Sequence, residues 1–159
     1  LSSCLCTGII ALFTACSQAP QSPIDSVNPF IGTGFHGHTY PGATAPYGAV
    51  QLSPDTRKGN WDACSGYHYS DSTLMGFSHT HLSGTGCIDL GDILFRPSLQ
   101  TPLAFSHSDE KASSGYYSVN LREAGVLAEL TTTRMSGYTD IPIKRDRGYV
   151  GGRYGPFIG

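Results

Sequence analysis

The chain has 159 residues, enough for one domain with a real core. With 20 Gly, 10 Pro and 9 Tyr, only 14% charged residues and no sustained helical stripe, it reads as an all-β, turn-rich protein. The net charge of -2 is uneven, with ten acidic residues against five basic ones before Arg134 and two against five from there on. No Lys/Arg cluster accompanies the aromatic-rich centre, which excludes nucleic acid as the expected ligand.

In chain order, Thr7 to Ala15 (TGIIALFTA) is an apolar run too short to span a bilayer as a helix. It ends in Phe-Thr-Ala-Cys, which resembles a bacterial lipoprotein signal, so residues 1–16 are expected to be an export segment with Cys16 as the lipidated residue. The chain is then expected outside the cytoplasm, in the periplasm or at the cell surface, anchored to the membrane through that lipid. Residues 17–26 read as a flexible linker.

Val27 to Ala49 is so rich in Gly and Pro that neither a helix nor a long strand fits. Gly32, Gly34 and Gly37 have the spacing of a dinucleotide loop, but Tyr40-Pro41-Gly42 follows where that loop must open a helix. The stretch is read instead as a loop whose glycines permit close backbone approach. Val50 to Ser53 is a predicted strand, with a polar turn over residues 54–60. Tyr67 to Tyr69 and Leu74 to His79 have strand-type spacing around a Ser70-Asp71-Ser72 turn, and Ile93 to Arg96 is a further strand. Gly115 to Leu121 and Val126 to Thr133 give the clearest β signal, a hairpin with Tyr117, Val119 and Leu121 on one face. From Met135 the alternation fails, and residues 135–159 read as a divergent tail, disordered or artefactual.

Chemistry concentrates in Trp61 to Asp92, which holds the only Trp, three of six His and two Cys. Two His-x-His pairs, His36/His38 and His79/His81, suggest zinc, because residues two apart on a strand share a face. Ser83 and Gly84 stand where the metallo-β-lactamase-like HxHxDH loop needs Asp and His, so zinc hydrolysis is the lesser alternative and no residue is assigned to a metal. Neither Ser65 nor Ser83 lies in a nucleophile elbow. Cys64 and Cys87 are expected to remain unpaired. A sugar site explains more. Trp61, Tyr67 and Tyr69 can stack on C–H faces, while Asp62, Ser65, His68, His79 and His81 can bond hydroxyls. Asp62, Asp71, Asp89 and Asp92 fit ordinary turn and hydrogen-bonding roles better than catalytic ones.

The stretches VNPFIGTGFHGHTYPGATAPYGAVQLSPDTR, WDACSGYHYSDSTLMGFSHTHLSGTGCIDLGDILFRP, GYYSVNL and AELTTTR, in that order, closely resemble the N-terminal domain of the calcium-dependent α-mannosidases of glycoside hydrolase family 92. The resemblance implies an antiparallel β-sandwich over residues 27–134, an incomplete N-terminal domain of a two-domain glycosidase. Its partner would be a C-terminal (α/α) barrel, with the cleft between the two and exo-hydrolysis of α-mannoside glycans by inversion. It further implies that Trp61, Asp62, Cys64, Ser65, Gly66, Tyr67, His68, His79, Thr80 and His81 line the sugar cleft. The acid, the base and most calcium ligands would belong to the barrel, so the chain alone is expected to be inactive and to hold no catalytic residue. A stand-alone carbohydrate-binding β-domain is the main alternative.

Overall fold

The computed structural model describes residues 22–47, 49–84, 86–87, 91, 93–97, 102–145 and 148–158, with side chains described as far as residue 141. The expected signal, most of the linker, Asp89 and Asp92 lie outside the described residues. Eleven strands are described: β1 (Ala43–Thr44), β2 (Gln51–Asp55), β3 (Thr73–Leu74), β4 (Gly76–Ser78), β5 (Leu94–Phe95), β6 (Leu103–Ala104), β7 (Glu110–Ser113), β8 (Tyr116–Leu121), β9 (Val126–Thr132), β10 (Ser136–Arg145) and β11 (Gly148–Ile158). Pairing is antiparallel throughout, in sheets of order β1-β2-β4-β5 and β11-β10-β9-β8-β7, with β3-β6 a separate ribbon. The chain is thus an all-β sandwich, as its composition implies.

The β8–β9 hairpin shows why. Its register sets Tyr117, Val119 and Leu121 opposite Leu130, Ala128 and Val126, and all six are buried. With Leu52, Phe77 and Ala43 of the first sheet they form one core. Full burial of each large apolar side chain contributes about 1.5–3 kcal/mol, so this face, rather than turn chemistry, fixes the register.

Three expectations shift. The strand predicted to end at Ser53 runs on through Pro54 to Asp55. At Pro54 only β4 is a neighbour, because β1 pairs with Gln51 and Leu52 alone, so the missing N–H is tolerated. The segment from Tyr67 to Tyr69 is irregular backbone leading into a turn rather than a strand. Its amides are taken by other loops, His68 N–H by Thr56 Oγ1 and Tyr69 N–H by the Thr33 carbonyl. Beyond Met135, where the alternation fails, β10 instead extends the sheet through pairs from Gly137↔Thr132 to Asp140↔Glu129. Its core-side residues are Gly137, Thr139 and Ile141, and only the last is large and apolar. A Cβ at Gly137 would come within 2.8 Å of Leu52, so close packing of the two sheets selects a residue that hides the strand from a hydropathy reading.

A polar pin crosses the core. Tyr67 and Tyr117 donate their phenolic protons to the buried Glu110 carboxylate at 2.7–3.1 Å, and His107 Nδ1 meets it at 2.6 Å. Burial, then the Glu110 charge, pushes both phenols well above their ordinary range, so they remain donors. His107 stacks on Tyr69 at 3.9 Å, which ties the His-rich segment to the second sheet.

Candidate functional site: a ring-lined face and the cavity behind it

The site is built on a single 3-10 turn, Trp61–Ala63, capped by Asn60, whose side chain accepts from the Asp62 amide at 3.1 Å. Trp61 is 54% exposed, so its indole is surface rather than core. His38 stands edge-on to it, with ring centres 4.4 Å apart, and His36 lies 5.8 Å away. His36 Nδ1 contacts Asp62 Oδ1 at 2.6 Å, and this hydrogen bond holds the Asp62 carboxyl below its usual range. Phe35, 82% exposed, sits against His36 at 4.3 Å.

Phe35 has φ +56, a left-handed conformation costly for a bulky residue, on the order of 1–3 kcal/mol. The buried His68 stabilises it. Ser70 N–H donates to His68 Nδ1, so the ring proton is on Nε2, and Nε2 donates to the Phe35 carbonyl at 3.1 Å. The Gly84 amide donates to the His38 carbonyl, pinning the other end of the loop. The result is an exposed arc of Phe35, His36, Trp61 and Asp62 on a braced backbone.

Behind the turn is a cavity of about 200 Å³ whose wall includes Asp55, Cys64, Ser65, Gly66, Thr80 and His81. His81 is 3% exposed, with Nδ1 2.9 Å from the Gln51 carbonyl and Nε2 2.9 Å from Asp55 Oδ1. Ser78 Oγ lies 3.0 Å from the same Nε2, so Gln51, Ser78 and Asp55 hold the ring at both nitrogens. Asp55 Oδ2 is buried with no partner among the described residues. Gly66, at φ +89, makes this possible, since a Cβ there would lie 2.2 Å from Asp55 Oδ1.

The ten residues predicted for the cleft therefore divide three ways. Trp61 and Asp62 face outward. Cys64, Ser65, Gly66, Thr80 and His81 surround the inner cavity, with Cys64 a free thiol. Tyr67, His68 and His79 are interior: Tyr67 bonds Glu110, His68 braces Phe35, and His79 Nε2 meets Thr139 Oγ1 at 3.3 Å against the Phe95 ring. Burial, then the nearby His81 charge, lowers the His79 pKa to about 4. Asp71 holds Arg57 at 2.7–2.9 Å, the ordinary role expected of it. Phe35 and His36 join the exposed arc, and His38 backs it half-buried against Trp61, although none of the three was expected in the sugar site. The glycines around them were the available signal, because close approach was what they permitted.

The premise for zinc at His79/His81 does not hold, since β4 ends at Ser78 and the two histidines are on irregular backbone with different partners. Calcium takes six to eight oxygen ligands. Among the described residues no group of three or more His, Cys, Asp or Glu side chains could hold a metal, and Asp55, Asp62 and Glu110 are each bonded to histidine. These residues do not fit a calcium cage.

Fold and site together define a class, a two-sheet antiparallel β-domain that presents aromatic and hydrogen-bonding side chains from its loops, as parts of carbohydrate-active enzymes do. The sequence model described as "Glycosyl hydrolase family 92 N-terminal domain" matches residues 26–147, past the point where alternation fails, and the chain belongs to that family. It is similar to a family GH92 α-mannosidase of Bacteroides thetaiotaomicron solved in complex with mannoimidazole, at 42% identity and TM-score 0.71, over 79% of this chain and 19% of that one. The GH92 family glycosyl hydrolase ccman5 matches at 31% identity and TM-score 0.64, over 75% and 18% of the two chains. An uncharacterized secreted glycosidase of Arthroderma benhamiae is 30% identical over 146 residues, covering 82% of this chain. The chain spans 18% of that relative's length.

Proposed function

We propose that the arc of Phe35, His36, Trp61 and Asp62 is the N-terminal wall of an α-mannosidase cleft. In this reading Trp61 stacks on the mannose ring, and Asp62 and His36 bond its hydroxyls. The observation that carries it is the exposed indole flanked by two imidazoles and an ionised carboxylate on a braced loop. Inverting hydrolysis needs a protonated acid and a base about 6.5–9.5 Å apart. Asp62 is unsuited to the acid role because its hydrogen bond to His36 favours the ionised form. Both groups, and the calcium site, are assigned to an (α/α) barrel that packs against this wall, and residues 1–159 alone are then inactive. The similarity to a mannosidase that binds mannoimidazole supports the substrate class.

Trp61 is the sole tryptophan, so its fluorescence reports on the site directly. Titration with mannoimidazole or methyl α-mannoside is expected to shift its emission saturably, and Asp62→Asn to weaken that response about tenfold. An emission spectrum that never moves at saturating mannoimidazole, or a response that Asp62→Asn leaves unchanged, would sink the assignment. We place the mature chain outside the cytoplasm on a lipid at Cys16. Cys16→Ser should move it from the membrane to the soluble fraction, and an unchanged distribution excludes the anchor.

A further inference from the structure

The outward face of the second sheet carries a separate constellation that shares no residue with the Trp61 arc. Strand register sets Tyr116 and Tyr138 on either side of Thr131, and Asp140 beside Glu129 in the next row. Together they line a cleft of about 420 Å³, within the ~300–1,000 Å³ of small-molecule sites. We propose that this cleft is a second, non-catalytic glycan-binding surface, taking pyranose rings of a polysaccharide between Tyr116 and Tyr138, with Glu129 and Asp140 accepting from the sugar hydroxyls.

Two strand spacings separate the tyrosines, roughly 10 Å. That gap admits one pyranose ring with an aromatic face on each side, and a pyranose has apolar C–H faces and a rim of donors that suits this pairing. Tyr116 is fixed in advance by donating to Glu129 Oε1 at 2.5 Å, so less side-chain freedom is lost on binding. A cross-strand pair that merely stabilises the sheet would account for Tyr116 and Glu129. It gives no reason for Tyr138, 41% exposed on a solvent face where small polar side chains suffice. Among the described side chains that line the cleft there is no Lys or Arg, and two carboxylates face it.

Because the ligand class follows from the ring and carboxylate arrangement, the test does not depend on the Trp61 reading. The full chain is run in native gels containing soluble α-mannan, β-glucan or xylan, first with Trp61→Ala to silence the other surface. Retardation in at least one gel is expected to persist, to weaken about tenfold on adding Tyr138→Ala and a few-fold on adding Tyr116→Phe, and to survive EDTA. Tyr116→Phe keeps the ring and the fold, so it remains informative if the alanine variant misfolds. Loss of all retardation with Trp61→Ala alone overturns the proposal. So does retardation indifferent to both tyrosine changes, or abolished by chelator. Failure of the Trp61 arc instead shows as an unmoved indole emission and leaves these outcomes readable.

Discussion

The two His-x-His pairs share a sequence spacing and almost nothing else. His36 keeps 60% of its side chain in solvent, beside an exposed indole and a half-buried carboxylate. His79 and His81 are 6% and 3% exposed, and their partners include Thr139, Asp55, Ser78 and a backbone carbonyl. A histidine pair is therefore not one kind of site. In the first pair the His36 ring is open to a ligand while His38 is half-buried against Trp61 with its Nε2 inside, whereas in the second pair the rings bond polar groups that burial would otherwise leave costly.

Breaking this contrast is straightforward. The largest effect is expected from His81→Ala, which strands Asp55 in the interior and should destabilise the fold by about 3–5 kcal/mol in urea unfolding. His36→Ala, cutting an exposed pair, should cost less than about 1 kcal/mol. Equal losses from the two would mean that the pairs do not differ as described. Gly66→Ala comes next, at roughly 2–3 kcal/mol, because the added methyl meets both a left-handed φ and Asp55 Oδ1. A neutral Gly66→Ala would show that the Asp55–His81 contact is not tight.

The same contrast predicts a pH dependence. The folded His79 pKa, about 4, lies below its ordinary 6.5, so the unfolded chain binds the extra proton between those values. Stability from this group is complete above pH 6.5 and declines as pH falls towards 4, by ~1 kcal/mol at pH 5.5. Urea midpoints between pH 7.5 and 4.5 should show this slope, and His79→Gln should remove it. A slope that survives the substitution belongs to another group.

Much was legible in the residues. The β8–β9 hairpin followed from alternation alone, because one face is fully buried and a one-residue slip would expose all of it. The polar stretch leading to Trp61 was legible too, and its last residue, Asn60, caps the turn that Trp61 begins. Strand β10 was hidden because its core side is mainly Gly137 and Thr139, chosen for closeness to Leu52 and for a bond to His79 rather than for hydropathy. The interior place of Tyr67 was hidden for a similar reason, since its partner Glu110 is 43 residues away and no local pattern announces it.

By itself the sequence determined an all-β chain, the clearest strand pair, the family motifs and the window where polar chemistry collects, because alternation and turn residues act over a few neighbouring positions. Only the tertiary structure decided which of those polar residues meet solvent and which are spent inside, because that depends on what distant strands bring opposite them. Asp55 meets His81 and Glu110 meets two tyrosines only once the sheets have packed, and the ring-lined face is what that packing leaves outside.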